Sequence, residues 1–192
     1  MCRFRGMFMK FLIVLVSLLA LTGCLEDDEV SREELEKRFA TLGLCYEPNE
    51  DFECGWIEVY DRFGGDSVFM TAGSAINNID QIIMTERLLW SGDRLCQENG
   101  GRGIRELYSR TSQAYSFDIS SARRFSDSGF RDSVANLAAE QSDDTCFGYS
   151  WANDQQTVMT QTTYIEGQAQ PTTERVIFLS LANGGAMLYP VD

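Results

Sequence analysis

The sequence predicts an α+β domain: a curved antiparallel β-sheet with an N-terminal helix and a second amphipathic helix packed on it. Three observations carry that expectation. A capped helical stretch begins at Ser31, apolar stretches separated by Gly-rich or polar turns dominate from Trp56 to Ile119 and from Phe147 to Pro190, and a helical period returns between Asp127 and Gln141.

The first element is the best specified. Ser31-Arg32-Glu33-Glu34 reads as a capping box with Ser31 at the N-cap and Glu34 at N3, and Val30 and Leu35 supply the hydrophobic staple. Leu35, Phe39 and Leu42 follow at helical spacing, Glu33 faces Lys37 and Glu34 faces Arg38 one turn on, and Gly43 is the expected stop. Next, Trp56 to Phe63 and Ser67 to Thr71 flank Gly64-Gly65-Asp66, the pattern of a hairpin with a short loop. The stretch from Ile79 to Trp90 fits two periods. Ile76, Ile79, Ile83 and Arg87 suit a helix, whereas Ile82, Met84, Leu88 and Trp90 suit one face of a strand, and the Ser91-Gly92-Asp93 turn before Arg94-Leu95-Cys96 decides for a hairpin.

Ile104 to Arg110 and Ala114 to Ile119 read as further strands, and Phe130, Val134, Leu137 and Gln141 define the second helix, begun near Asp127 or Ser128. Four more strands close the chain: Phe147 to Ala152, Thr157 to Ile165, Thr173 to Leu181 and Ala186 to Pro190. In the third of these Ile177, Leu179 and Leu181 share a face, which is expected to be core and to lie under the helices.

Ahead of this domain, Arg3, Arg5 and Lys10 precede an almost wholly apolar run from Phe11 to Leu21, the pattern of an export signal. The run falls short of the roughly 20 residues a spanning helix needs. It ends in Leu21-Thr22-Gly23-Cys24, which resembles the lipobox of bacterial lipoproteins. The resemblance implies cleavage before Cys24, attachment of lipid to its thiol, and contact with the membrane through that anchor. Leu25 stands where Asp would resemble an inner-membrane retention signal, so the implied location in a Gram-negative host is the outer membrane, facing the periplasm. The expected organisation is therefore a signal peptide over residues 1–23, an acidic tether over 24–30 and a single domain over 31–192.

An exported chain oxidises its cysteines, and beyond Cys24 four remain: Cys45, Cys54, Cys96 and Cys146. Three connectivities exist. The short Cys45–Cys54 span, with Pro48 inside it, closes easily on a turn and favours Cys45–Cys54 with Cys96–Cys146. With no CxxC pair and no histidine, zinc is disfavoured.

Composition narrows the chemistry further. The formal charge is −13, and every carboxylate lies after Cys24 while Arg3, Arg5 and Lys10 precede it, so the domain itself is more acidic still. Such a field argues against nucleic acid. The absence of histidine removes Ser-His, Cys-His and His-ligated metal chemistry, and Lys37, the one lysine after Cys24, sits on the polar face of the first helix. Neither a cofactor nor a resident metal is expected; the acidic stretch Glu47 to Glu53 lacks the ligand alternation of a calcium loop.

Two kinds of candidate site survive. The first is a pair of carboxylates, Glu58 and Glu86, each within an apolar strand pattern, where alternation is expected to place them on the solvent face of the sheet. The second is the middle third of the chain, where residues 101–135 carry six arginines against four carboxylates. Arg102 within the Gly-rich Asn99–Gly103 loop and Arg105 just after it, with Arg123 and Arg124, form a candidate binding patch for an acidic envelope protein or polymer. Three functions are thus expected in order: a non-catalytic binding or assembly module, a carboxylate-dependent hydrolase of envelope glycans, and a carrier that holds an apolar ligand against the sheet. The last requires an apolar cavity of several hundred Å3.

Overall fold

A computed structural model describes residues 29–77, 80–98, 104–111, 114–116, 118–124, 145–183 and 185–190. The expected signal peptide, most of the expected tether, the loop that contains Arg102 and the whole expected second helix lie outside the described residues. The helix that is described, α1 (Arg32–Phe39), precedes twelve strands: β1 (Leu42–Tyr46), β2 (Trp56–Gly64), β3 (Ser67–Ala75), β4 (Asp80–Ser91), β5 (Arg94–Gln97), β6 (Ile104–Thr111), β7 (Ala114–Ser116), β8 (Arg123–Arg124), β9 (Thr145–Trp151), β10 (Val158–Ile165), β11 (Gln168–Ser180) and β12 (Gly185–Met187).

The α+β expectation is overturned. The described residues are mostly β, 66% strand against 10% helix, and eight antiparallel strands close into a barrel. Around the wall the order is β1, β2, β3, β4, β5, β9, β10, β11 and back to β1. Neighbours along the chain are neighbours in the wall except at β5–β9, where the chain leaves to build β6 to β8. The circuit closes where β11 meets β1, from Leu42 opposite Ser180 to Tyr46 opposite Val176. What reads locally as a curved sheet is thus a sheet whose inner face is covered by its own opposite wall, the arrangement that removes free edges.

Turn chemistry sets the hairpins. In the β10–β11 turn Glu166 and Gly167 both have positive φ, 52° and 77°, the conformation whose twist matches that of paired strands. Gly65 and Gly92 do the same in the β2–β3 and β4–β5 turns. β4 is long enough to share one edge between two strands: Leu88–Ser91 pairs with β5, while Asp80–Glu86 pairs with β6.

Helix α1 plugs one end of the barrel. Ser31 Oγ accepts from the Glu34 backbone N–H at 3.4 Å, and the Glu34 carboxylate meets Arg38 at 2.6 Å. Gly43 is not the stop; the helix ends at Phe39 and Gly43 lies within β1. Leu35 and Phe39 are fully buried and join Val30, Tyr60, Val68, Trp90, Leu95, Tyr149 and Met159 in the interior core. The Phe39 ring stacks on Tyr60 at 4.5 Å and meets Tyr149 edge-on at 5.6 Å.

The chain just before the helix fills the seam left by the short β5. Val30 N–H donates to the Tyr149 carbonyl and Glu29 bridges Ser150, so residues 29 and 30 extend along the β9 edge that β5 does not reach. The Glu29 carboxylate accepts from Arg94 at 2.9 Å and from the Tyr164 hydroxyl at 2.6 Å, and the Arg94 guanidinium lies 3.5 Å from the Tyr164 ring centre. Burial acts to raise the Glu29 pKa, but the hydrogen bonds from Arg94 and Tyr164 outweigh it and hold the carboxyl below its ordinary value. Gly148 makes the close approach possible, because a Cβ there would stand 2.9 Å from both the Glu29 carboxylate and the Tyr164 ring.

A second core covers the outside of the barrel. β7 and β12 pair as a small sheet that brings Tyr115 and Leu188 against Cys45, Cys54, Ile57 and Ile83. Tyr115 packs on Gly73, where a Cβ would lie 2.0 Å from its ring, so β3 needs glycine at that point. Ile177 and Leu179 belong to this outer core, while their neighbours Val176 and Phe178 face the barrel core. The expected helix-covered face of that strand is therefore covered by a β layer, with Val176 buried and Ile177, Phe178 and Leu179 half-buried. Cys45 is bridged to Cys54 and Cys96 to Cys146. The second bridge crosses the wall at the β5–β9 junction, where only two residue pairs are in register.

Candidate functional site

Alternation along a barrel strand sends every second side chain inward. On β2 the inward set is Trp56, Glu58 and Tyr60; on β4 it is Ile82, Met84, Glu86, Leu88 and Trp90, and Glu86 stands opposite Met70 of the interior core. The expectation that Glu58 and Glu86 sit on a solvent face is therefore corrected: both point into the barrel. A third carboxylate, Glu174 of β11, shares the inner face with Val176 and is half-buried.

Around Glu58 the interior is a closed polar network. Tyr46 and Tyr60 both donate to Glu58 Oε2, at 2.6 Å and 2.5 Å. Gln161 Nε2 donates to the hydroxyls of Tyr149 and Tyr46, at 2.8 Å and 3.0 Å. Since the Tyr46 hydroxyl directs its hydrogen at Glu58, the 3.0 Å contact between Tyr46 and Tyr149 has Tyr149 as donor. Burial first, and then the charge of Glu58, raises the proton affinity of all three tyrosines, so they stay neutral donors.

The carboxyls are displaced in the same direction. Burial raises the Glu58 pKa, partly offset by the hydrogen bonds of Tyr46, Tyr60 and Trp56. Glu86 is 1% exposed, its Oε1 has no hydrogen-bond partner among the described residues, and burial together with the charge of Glu58 pushes its pKa up to about 8. Burial, with Glu58 and Glu47 adding to it, lifts Glu174 to about 7. No arginine or lysine among the described residues neutralises any of the three.

Above this network, at the end away from α1, the barrel opens into a cavity of about 390 Å3 lined by Trp56, Glu58, Ala72, Ser74, Ile82, Met84 and Leu107. Glu58 is enclosed by protein yet not fully covered, because its free side opens on this cavity. Leu107 comes from β6, which stands opposite Met84 and continues the wall where β5 has ended. The lining is apolar except at Glu58 and Ser74. Two loops border this end, and they carry exposed apolar side chains, Phe52 between β1 and β2 and Ile76 between β3 and β4.

Only part of the expected basic patch falls within the described residues. Arg102 lies outside the described residues, and of Arg105 only the β6 backbone is described. Arg123 and Arg124 form β8 and are exposed, with Arg124 paired to Glu106 at 3.1 Å. Among the described residues no group of three or more His, Cys, Asp or Glu side chains is placed to hold a metal ion. The sequence reading missed Tyr46, Tyr60, Tyr149 and Gln161 altogether. Their signal was the aromatic character of the Glu58 face, Trp56 and Tyr60 on either side. Comparison with protein families, with curated proteins and with solved structures finds no match for this chain.

Proposed function

We propose that this chain is a lipid-anchored, non-enzymatic barrel of the bacterial envelope that carries a small, largely apolar ligand in its open mouth. The observation behind this reading is the cavity of about 390 Å3 walled by Trp56, Ala72, Ile82, Met84 and Leu107. Its size falls within the roughly 300–1,000 Å3 of small-molecule sites, and its few polar groups match the pattern of such pockets. A glycan hydrolase needs hydroxyl-binding groups along the cleft and two accessible carboxyls. Here the lining is apolar, and Glu86 is sealed behind it.

Binding is testable with a neutral fluorophore such as N-phenyl-1-naphthylamine. Saturable uptake at a single site is expected, with Ala72→Phe weakening it by about tenfold or more by filling the cavity. Absence of saturable uptake by the wild-type protein overturns the reading.

The anchor rests on Leu21-Thr22-Gly23-Cys24. Labelled palmitate fed to cells is expected to enter the protein, and Cys24→Ser to abolish labelling and release the barrel in soluble form. Labelling that survives the substitution removes the anchor.

A further inference from the structure

The cavity floor carries a chemistry that its apolar walls do not explain. Three carboxyls, Glu58, Glu86 and Glu174, face one barrel interior. Among the described residues no cationic side chain accompanies them, although buried acids are ordinarily paired. Tyr46 and Tyr60 donate to one oxygen of Glu58 and the Trp56 side chain also hydrogen-bonds to its carboxyl, while Glu86 Oε1 is buried without a partner among the described residues. Glu58 borders the cavity directly. Beside it on the same strand face stands Trp56, whose ring is backed by Tyr46 at 4.7 Å, nearly parallel. An enclosed carboxyl next to a buttressed indole is the combination that attracts an organic cation, through Coulomb attraction and through the negative face of the ring.

We propose that the ligand this cavity selects is an amphipathic cation, an ammonium group on a short apolar body, its charge seated between the Glu58 carboxyl and the Trp56 ring. The apolar body then lies along Ile82, Met84 and Leu107 towards the mouth. Glu86 and Glu174 are not part of the cavity lining and do not touch the ligand. This inference rests on the ligand-carrying reading above, and its test separates the two.

The test uses the full chain with bound N-phenyl-1-naphthylamine as reporter and three competitors of equal chain length: octyltrimethylammonium, octanol and octanoate. The ammonium is expected to displace the fluorophore at a concentration about tenfold below that of octanol, with octanoate weaker than octanol. Glu58→Gln is expected to erase the ammonium advantage, the two competitors being compared with each other on the variant itself. If octanol or octanoate equals the ammonium on the wild-type protein, charge selection is refuted while the apolar carrier stands. If the ammonium advantage persists undiminished in a folded Glu58→Gln protein, the assigned seat is wrong. If the fluorophore itself does not bind, both readings fall. Should Glu58→Gln not fold, the wild-type ranking decides the ligand class, and Trp56→Leu, expected to reduce the ammonium advantage several-fold, tests the seat.

Discussion

Phe39→Ala is expected to destabilise the barrel by about 3–5 kcal/mol, the range for removing a fully buried phenyl ring. The ring has no access to solvent, stacks on Tyr60 and meets Tyr149 edge-on, so its loss leaves a cavity at the plugged end that neighbouring rings cannot fill without leaving their own contacts. Both partners also belong to the hydrogen-bonded network around Glu58. Loss of the plug thus loosens the positions of two phenols whose hydroxyls would be left buried and less well paired. Urea unfolding followed by Trp fluorescence measures the cost through a lower midpoint at unchanged slope. A change below about 1 kcal/mol would show that α1 caps the barrel loosely, contrary to its packing.

Alkaline sensitivity is the second large effect, and its sign follows from Glu86. The native carboxyl holds its proton up to about pH 8, because burial and then the Glu58 charge oppose ionisation, whereas in the unfolded chain it ionises near its ordinary 4.5. Between these values the native state binds a proton that the unfolded state has lost, so stability falls as pH rises, at up to about 1.4 kcal/mol per unit. From pH 5 to pH 8 the expected loss is about 2–4 kcal/mol. Glu174, half-buried and raised to about 7, adds a smaller contribution of the same sign. Thermal melts across this range are expected to shift downward by about 5–10 °C for the wild type. Glu86→Gln keeps the shape of the side chain without the titration and is expected to flatten most of the slope. Parallel curves for the two proteins would place the sensitivity elsewhere.

Local signals in the sequence specify local structure well and closure not at all. The Ser31 cap and the Gly64-Gly65-Asp66 turn are legible because a few adjacent residues determine them. Closure rests on pairs such as Leu42 with Ser180 and Cys96 with Cys146, which no periodicity within a single segment encodes. The orientation of the acids fails for a related reason. Ile57 and Val59 suggest that Glu58 faces outward, but a strand with a covered outer layer is buried on both sides, and the apolar residues on one face no longer mark the other as solvent. For β4 the sign was present: Ile82, Met84, Leu88 and Trp90 read as one face, and Glu86 occupies the position between Met84 and Leu88 on that same face.

Were Cys24 acylated as proposed, the clamp at Glu29 would set how the barrel hangs from a bilayer. From Cys24 to Glu29 is five peptide units, a leash of at most about 18 Å even when fully stretched. It leaves the wall at the β5–β9 seam, immediately before the helix that stoppers one end. An acylated Cys24 would therefore keep the stoppered end close to the headgroups and turn the open mouth away from the surface. In that posture a ligand of the kind proposed would be exchanged across the aqueous side, and not by direct extraction from the leaflet that holds the anchor.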